Sequence, residues 1–245
     1  MKHQLTITGN NYNINHSVPF EGVACDQNDI NKVFDFAYNM TFGTRGEHRK
    51  YRSGGSIKRR NGELFANTFQ GKLAEFFFYA YCKKNGLNLP IPDTKEYGLG
   101  SWDEADFIIN NKTISIKSMS FFSNLLLLEE KDWNKTGSYI PNDCIYDFHV
   151  IVRVSPDIKK ILRDQRFFYS DDVDKDKLYS CIQSKNFKCD MPGFINNEDL
   201  KAIIQNEFLL PKNGMLNGRI PMDASNYYCQ AGDFRKIDEL LNILK

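Results

Sequence analysis

Residues 101–118, SWDEADFIINNKTISIKS, hold an acid, a hydroxyl and an amine at spacings that could do chemistry. Phe107, Ile108 and Ile109 form a short apolar run, after which Thr113, Ser115 and Lys117 alternate with Ile114 and Ile116. That period of two is the pattern of a half-buried strand. Asn110 and Asn111 between the runs suit a two-residue hairpin turn. With that turn Ile109 pairs with Lys112, and Asp106 stands opposite Ser115. Directly opposed residues share a sheet face, as do residues two apart on one strand, so Lys117 joins Asp106 and Ser115. Ile114 and Ile116 take the other face, toward a core. Asp103 and Glu104 are rival acids, but they precede the strand, and strand parity favours Asp106.

A carboxylate, a hydroxyl and an ammonium on one face suit a divalent cation and a phosphodiester. Asp106 is a hard oxygen ligand for Mg²⁺. Lys117 would sit beside the attacking water and the scissile phosphate, stabilising negative charge or, with a lowered pKa, helping to deprotonate the water. The metal would acidify its bound water and stabilise the pentacovalent transition state.

Asp106 followed by Ser115-Ile116-Lys117 resembles the signature of the PD-(D/E)xK nuclease superfamily: an acid, a short gap, then (D/E)-x-K on the next strand. Ser115 departs from it, standing where the second acid usually does. The family tolerates this when another carboxylate compensates, often from the preceding helix, and Glu75 is the candidate. The resemblance covers residues 67–118. It implies an α/β (α+β) chain with a restriction-endonuclease-like core, a central mixed β-sheet flanked by helices. It also implies Asp106, Glu75 and the Ile116 carbonyl as Mg²⁺ ligands, Lys117 in the transition-state role, and Ser115 on a metal-bound water. The expected activity is a type II restriction endonuclease cutting double-stranded DNA, as a homodimer if the target is a palindrome, with a DNA methyltransferase as functional companion. One alternative is a structure-directed repair, resolvase or phage-type nuclease of the same fold. Another is a DNA-binding protein whose site has decayed, for which Ser115 is the best support.

These residues need elements to position them. Residues 67–86 read as a helix with Asn67 at its start and Gly86 past its end. Phe69, Leu73, Phe76, Phe77 and Ala80 form its apolar surface, and Glu75 is an unusual charge within it. Ahead of it, the loop 43–64 carries Arg45, Arg49, Lys50, Arg52, Lys58, Arg59 and Arg60, suited to phosphate contacts. Residues 29–40 read as an amphipathic helix with Ile30, Val33, Phe34 and Ala37 on one stripe. Residues 146–155 read as a buried strand central in the sheet. Beyond them the pattern predicts a short helix or turn after Pro156-Asp157, an irregular stretch over 167–190 around one or two strands, and a helix over 197–204 capped by Asn197. A loop over 210–219 follows, then a strand over 222–230 whose polar edge suits base reading, and a closing helix over 237–244. One nuclease domain spans 1–245, with core motifs in 67–155 and with 156–245 as a recognition or dimerisation elaboration.

The composition is compatible with this. A chain of 245 residues with 41% hydrophobic residues buries a sizeable core. A net charge of +1 announces no bulk basicity, so nucleic acid would need a local basic groove. Six cysteines without Cys-x-x-Cys spacing, and four histidines that form no zinc pattern with them, predict free thiols in a reducing cytoplasm. The polar first residues and the lack of a long apolar run predict neither a signal peptide nor a membrane span.

Overall fold

The computed structural model describes residues 2–43, 59–94 and 105–245. Its strands and helices in chain order are β1 (Thr6–Thr8), β2 (Asn11–Asn13), β3 (Val23–Ala24), α1 (Gln27–Phe42), α2 (Asn61–Lys84), β4 (Phe107–Ile109), β5 (Lys112–Ser120) and β6 (Leu125–Glu129). There follow β7 (Phe148–Ser155), α3 (Ile158–Asp164), α4 (Lys175–Gln183), β8 (Lys188–Asn196), α5 (Asn197–Gln205), β9 (Leu209–Leu210), β10 (Met215–Leu216), β11 (Ile220–Pro221), β12 (Asn226–Gln230) and α6 (Ile237–Leu244). This is a mixed α/β architecture. A five-stranded mixed sheet runs in the order β3-β8-β7-β5-β4, with β5 parallel to β7 and the other neighbours antiparallel. A three-stranded sheet, β6-β12-β9, and a four-stranded one, β1-β2-β10-β11, lie outside it.

The middle strand, β7, is buried along almost its whole length, as its Val/Ile run demands. Alternation along the central sheet creates two faces. Ile114, Phe148, Val150, Val152, Val154 and Phe194 face the helices, where Phe69, Leu73 and Phe76 of α2, Phe34 of α1 and Leu240 of α6 pack. Ile151 and Ile195 face the other way, against Leu200 and Ile203 of α5 and Leu125, Leu126 and Tyr228 of the three-stranded sheet.

Caps and backbone conformation explain the main boundaries. Asp26 caps α1, accepting from the N–H groups of Asn28 and Asp29, and Ile30, Val33, Phe34 and Ala37 are buried on its inner stripe. Helix α2 starts six residues earlier than Asn67, which falls inside it. Its first turn is pinned from outside: Arg60 pairs with Asp171, Asp171 accepts from the Asn61 N–H at 3.1 Å, and Gly62 lies so close to the Phe167 carbonyl that a Cβ there would meet it at 1.9 Å. The helix ends as expected, with Gly86 at φ 83° past its last turn. Ala80, expected on the apolar surface, is exposed, whereas Phe78 takes a core position.

Other expectations need correction. The stretch 167–190 holds a regular helix, α4, capped by Asp174. Helix α5 is capped by Asn196 and not by Asn197, in a capping box with Asp199. Strand β12 presents no exposed polar edge. It lies between β6 and β9 with Asn226 and Gln230 buried, which removes it as a base-reading surface. Strand β8, from the 156–245 segment, is integral to the central sheet.

Candidate functional site

The β4–β5 hairpin is built on Asn110 and Asn111, both in the left-handed region at φ 48° and 60°. Two such residues in succession make the type I′ turn whose twist matches a hairpin, and asparagine tolerates it better than most residues. The register follows, Ile109 to Lys112, Ile108 to Thr113 and Phe107 to Ile114, which brings Asp106 opposite Ser115 at the next step.

There the ladder gives way to a side chain. The Asp106 carboxylate accepts the Ile116 N–H at 2.6 Å, and the Ser115 hydroxyl also bonds to it. The N–H and C=O of one strand residue point to the same edge, so the Ile116 carbonyl faces the Asp106 side. Lys117, two residues beyond Ser115, lies on the same face with its ammonium 5.9 Å from the centre of the Tyr146 ring. Crowding by protein raises the Asp106 pKa, opposed by Lys117, the Ile116 N–H, Lys72 and Ser115. Asp106 is an exposed residue at the rim, and access to water limits that rise. Desolvation likewise lowers the Lys117 pKa, opposed by Asp106, Cys144 and Asp132.

Glu75 enters from a different direction. Helix α2 packs on the Ile114/Ile116 face, opposite the face carrying Ser115 and Lys117. The Glu75 carboxylate is 2.6 Å from the Lys72 ammonium, which also acts electrostatically on Asp106, so Lys72 connects the two acids. Gln70, one turn earlier, donates to the Ser118 hydroxyl at 3.3 Å and ties α2 to β5. Of the basic loop, Arg60 is engaged with Asp171 and Arg59 is partly buried beside it. Arg45, Arg49, Lys50, Arg52 and Lys58 lie outside the described residues, as do Asp103 and Glu104.

The sequence reading missed His149. It pairs with Ser115 across the parallel β5–β7 ladder and so lies on the same face. It is 0% exposed, packed edge-on against Trp133 and Tyr146 with ring centroids 5.2 and 5.4 Å away, and among the described residues neither ring nitrogen has a hydrogen-bond partner. Burial, reinforced by Lys117, drives its pKa well below the usual histidine value and keeps the ring neutral. The one signal was a histidine next to the apolar run Val150-Ile151-Val152 of a buried strand. Its place beside Ser115 required knowing that β7 pairs with β5.

A carboxylate, a strand carbonyl and a hydroxyl are hard oxygen donors, and Mg²⁺ typically uses one or two carboxylates while keeping several waters. The donor set therefore fits Mg²⁺, with Asp106 and the Ile116 carbonyl on one edge. Comparison of the chain with protein-family models, with curated proteins and with solved structures gives no match. Among the described residues no helix is long and apolar enough to cross a membrane.

Proposed function

We propose that this chain is a Mg²⁺-dependent endodeoxyribonuclease with a restriction-endonuclease-like core, in the manner of a sequence-specific type II enzyme. The observation that carries the reading is the 2.6 Å bond from the Ile116 N–H to Asp106, which sets the acid beside Ser115 and Lys117 across a tight hairpin. The parallel β7 beside β5 and the long helix before the hairpin support it.

Asp106, the Ile116 carbonyl and Glu75 would hold Mg²⁺, which when bound supplies an acidified water and charge stabilisation. Asp106 is oriented by the Ile116 N–H and Ser115. Lys117 faces the phosphate and offsets the negative charge that grows on it, and its lowered pKa eases proton exchange with the attacking water. Glu75 is the second carboxylate, and Lys72, paired with it and acting on Asp106, places a cation beside both acids. Arg45, Arg49, Lys50, Arg52, Lys58, Arg59 and Arg60 supply phosphate contacts. Homodimerisation, a companion methyltransferase and a cytoplasmic setting belong to the same proposal.

The test is a digest of unmethylated phage DNA with Mg²⁺, comparing wild type with Asp106→Ala and Lys117→Ala. Discrete fragments from wild type alone support the reading, and a smear lost in both variants shifts it to a structure-directed or non-specific nuclease. The second reading, a DNA-binding protein with a decayed site, draws on Ser115 in the acidic position and on the pairing of Glu75 with Lys72. Metal-independent binding without cleavage, unchanged in Asp106→Ala, would establish it.

A further inference from the structure

His3, His16 and Asp233 lie far apart in the chain and converge away from the hairpin. Their ligating atoms all fall within 4.8 Å of one another. The Nδ1 atoms of both histidines approach the same oxygen, Asp233 Oδ1, at 2.6 and 2.8 Å, and the two rings are 4.4 Å apart. The Asp233 side chain is 2% exposed, while those of His3 and His16 are 60% and 40% exposed. A nearly buried carboxylate thus points outward at two imidazoles that solvent can reach.

The backbone around the three residues is set in advance. The His3 N–H donates to Asp233 Oδ2 at 2.8 Å, which orients the carboxylate and leaves Oδ1 to the rings. Gln230, fully buried, accepts the His16 N–H at 3.1 Å and donates to the His3 carbonyl at 3.0 Å. The Gly232 N–H donates to the His16 carbonyl, and a Cβ at Gly232 would meet the His16 ring at 2.6 Å. The Lys2 ammonium nearby bonds the Asp233 carbonyl oxygen and pairs with Asp199, which compensates its charge.

We propose that His3, His16 and Asp233 form a binding site for a first-row transition ion, Zn²⁺ foremost, that clamps the N-terminal segment to the turn after β12. Two imidazoles and a carboxylate suit Zn²⁺, Co²⁺ or Fe²⁺ over Mg²⁺. Three protein ligands with one open position make a familiar zinc set. Tetrahedral bonds of about 2.0–2.1 Å place ligand atoms roughly 3.3 Å apart, so Asp233 Oδ1 would move away from the two Nδ1 atoms, now at 2.6 and 2.8 Å, by about 0.5–0.7 Å. The site is independent of the proposed nuclease chemistry.

The experiment uses the full chain, stripped by chelation and kept reduced. It is titrated with Zn²⁺ by calorimetry, and its thermal unfolding is followed with and without the ion. Wild type should take up one ion per chain and unfold at a higher temperature in its presence, because a ligand that binds only the folded state stabilises it. His3→Gln keeps a side-chain N–H able to donate to Asp233, so the metal-free melting temperature should change little, while zinc affinity falls at least about tenfold and the thermal gain is lost. His16→Gln should do the same, and Asp106→Ala should bind zinc like wild type. No uptake by wild type, or uptake unchanged in both histidine variants, would overturn the site, and in the second case the Asp106→Ala titration tells whether the ion sits at the hairpin or at the thiols.

Discussion

Lys117 and Asp106 are held together by the strand face they share, and each tests a different consequence. On the proposed nuclease reading, Lys117→Met should lower cleavage by roughly a hundred- to ten-thousandfold while leaving DNA binding measurable by gel shift; unimpaired cleavage would remove Lys117 from the chemistry. Asp106→Asn keeps an acceptor for the Ile116 N–H but discards the negative charge that faces Lys117. On the same nuclease reading cleavage should vanish, while the retained acceptor for the Ile116 N–H keeps the melting temperature close to that of wild type. A clear fall in melting temperature would mean that the charge is net stabilising. His149 tests the pH dependence of stability. Unfolded, it takes up a proton near its ordinary 6.5, whereas folded it stays neutral well below that. The unfolded chain therefore binds the extra proton, and stability is lost as pH falls below about 6.5, by up to about 1.4 kcal/mol per unit. Urea unfolding at pH 7 and pH 5 should show a smaller difference for His149→Leu than for wild type. An equal difference in both would mean that the imidazole protonates in place.

At the scale of elements, the hairpin and helix α2 carry the site. Asn111 sits at φ 60°, so a β-branched residue there pays for a conformation it resists, about 1–2 kcal/mol. Asn111→Val should reduce stability by about that much and loosen the register that brings Asp106 to Ser115, whereas Asn111→Gly should be tolerated. Gly62 has a stricter constraint, because the Phe167 carbonyl occupies the space a methyl group would need. Gly62→Ala should cost about 1–3 kcal/mol or more in denaturant unfolding, since the start of α2 must move. A neutral result would show that this turn re-docks freely.

For the whole molecule, the N-terminal arm is bound to the sheet by a buried pair. Arg153, 1% exposed, bonds both oxygens of Asp190 at 2.8 and 2.5 Å, and it also donates to the carbonyls of Val18 and Pro19, each at 2.8 Å. Removing one partner leaves a buried charge uncompensated. Asp190→Ala should therefore destabilise the whole chain by about 3–5 kcal/mol in equilibrium unfolding. A loss confined to the arm, with the central sheet still cooperative, would show that the arm docks as a separate unit.

The readable parts were those governed by neighbours in the chain. The Asn110-Asn111 turn, the alternation of β5, the stripe of α1, the burial of β7 and the span of α6 follow from local backbone preference and hydrophobic period. They were sufficient to place Asp106 beside Ser115 and Lys117, because a two-residue hairpin leaves one register. What the sequence could not supply depended on partners distant in the chain. Asp171 and Phe167 move the start of α2 to Asn61, overriding the cap signal at Asn67. Pairing of β12 between β6 and β9 buries Asn226, and the N-terminal segment bonds to and covers Gln230, side chains that read as surface. The β5–β7 ladder brings His149 to Ser115, and the folding of the N-terminal arm across the turn after β12 joins His3 and His16 to Asp233. Local periodicity records which face of an element is apolar. Which element covers that face, and which polar groups meet there, is decided by long-range packing.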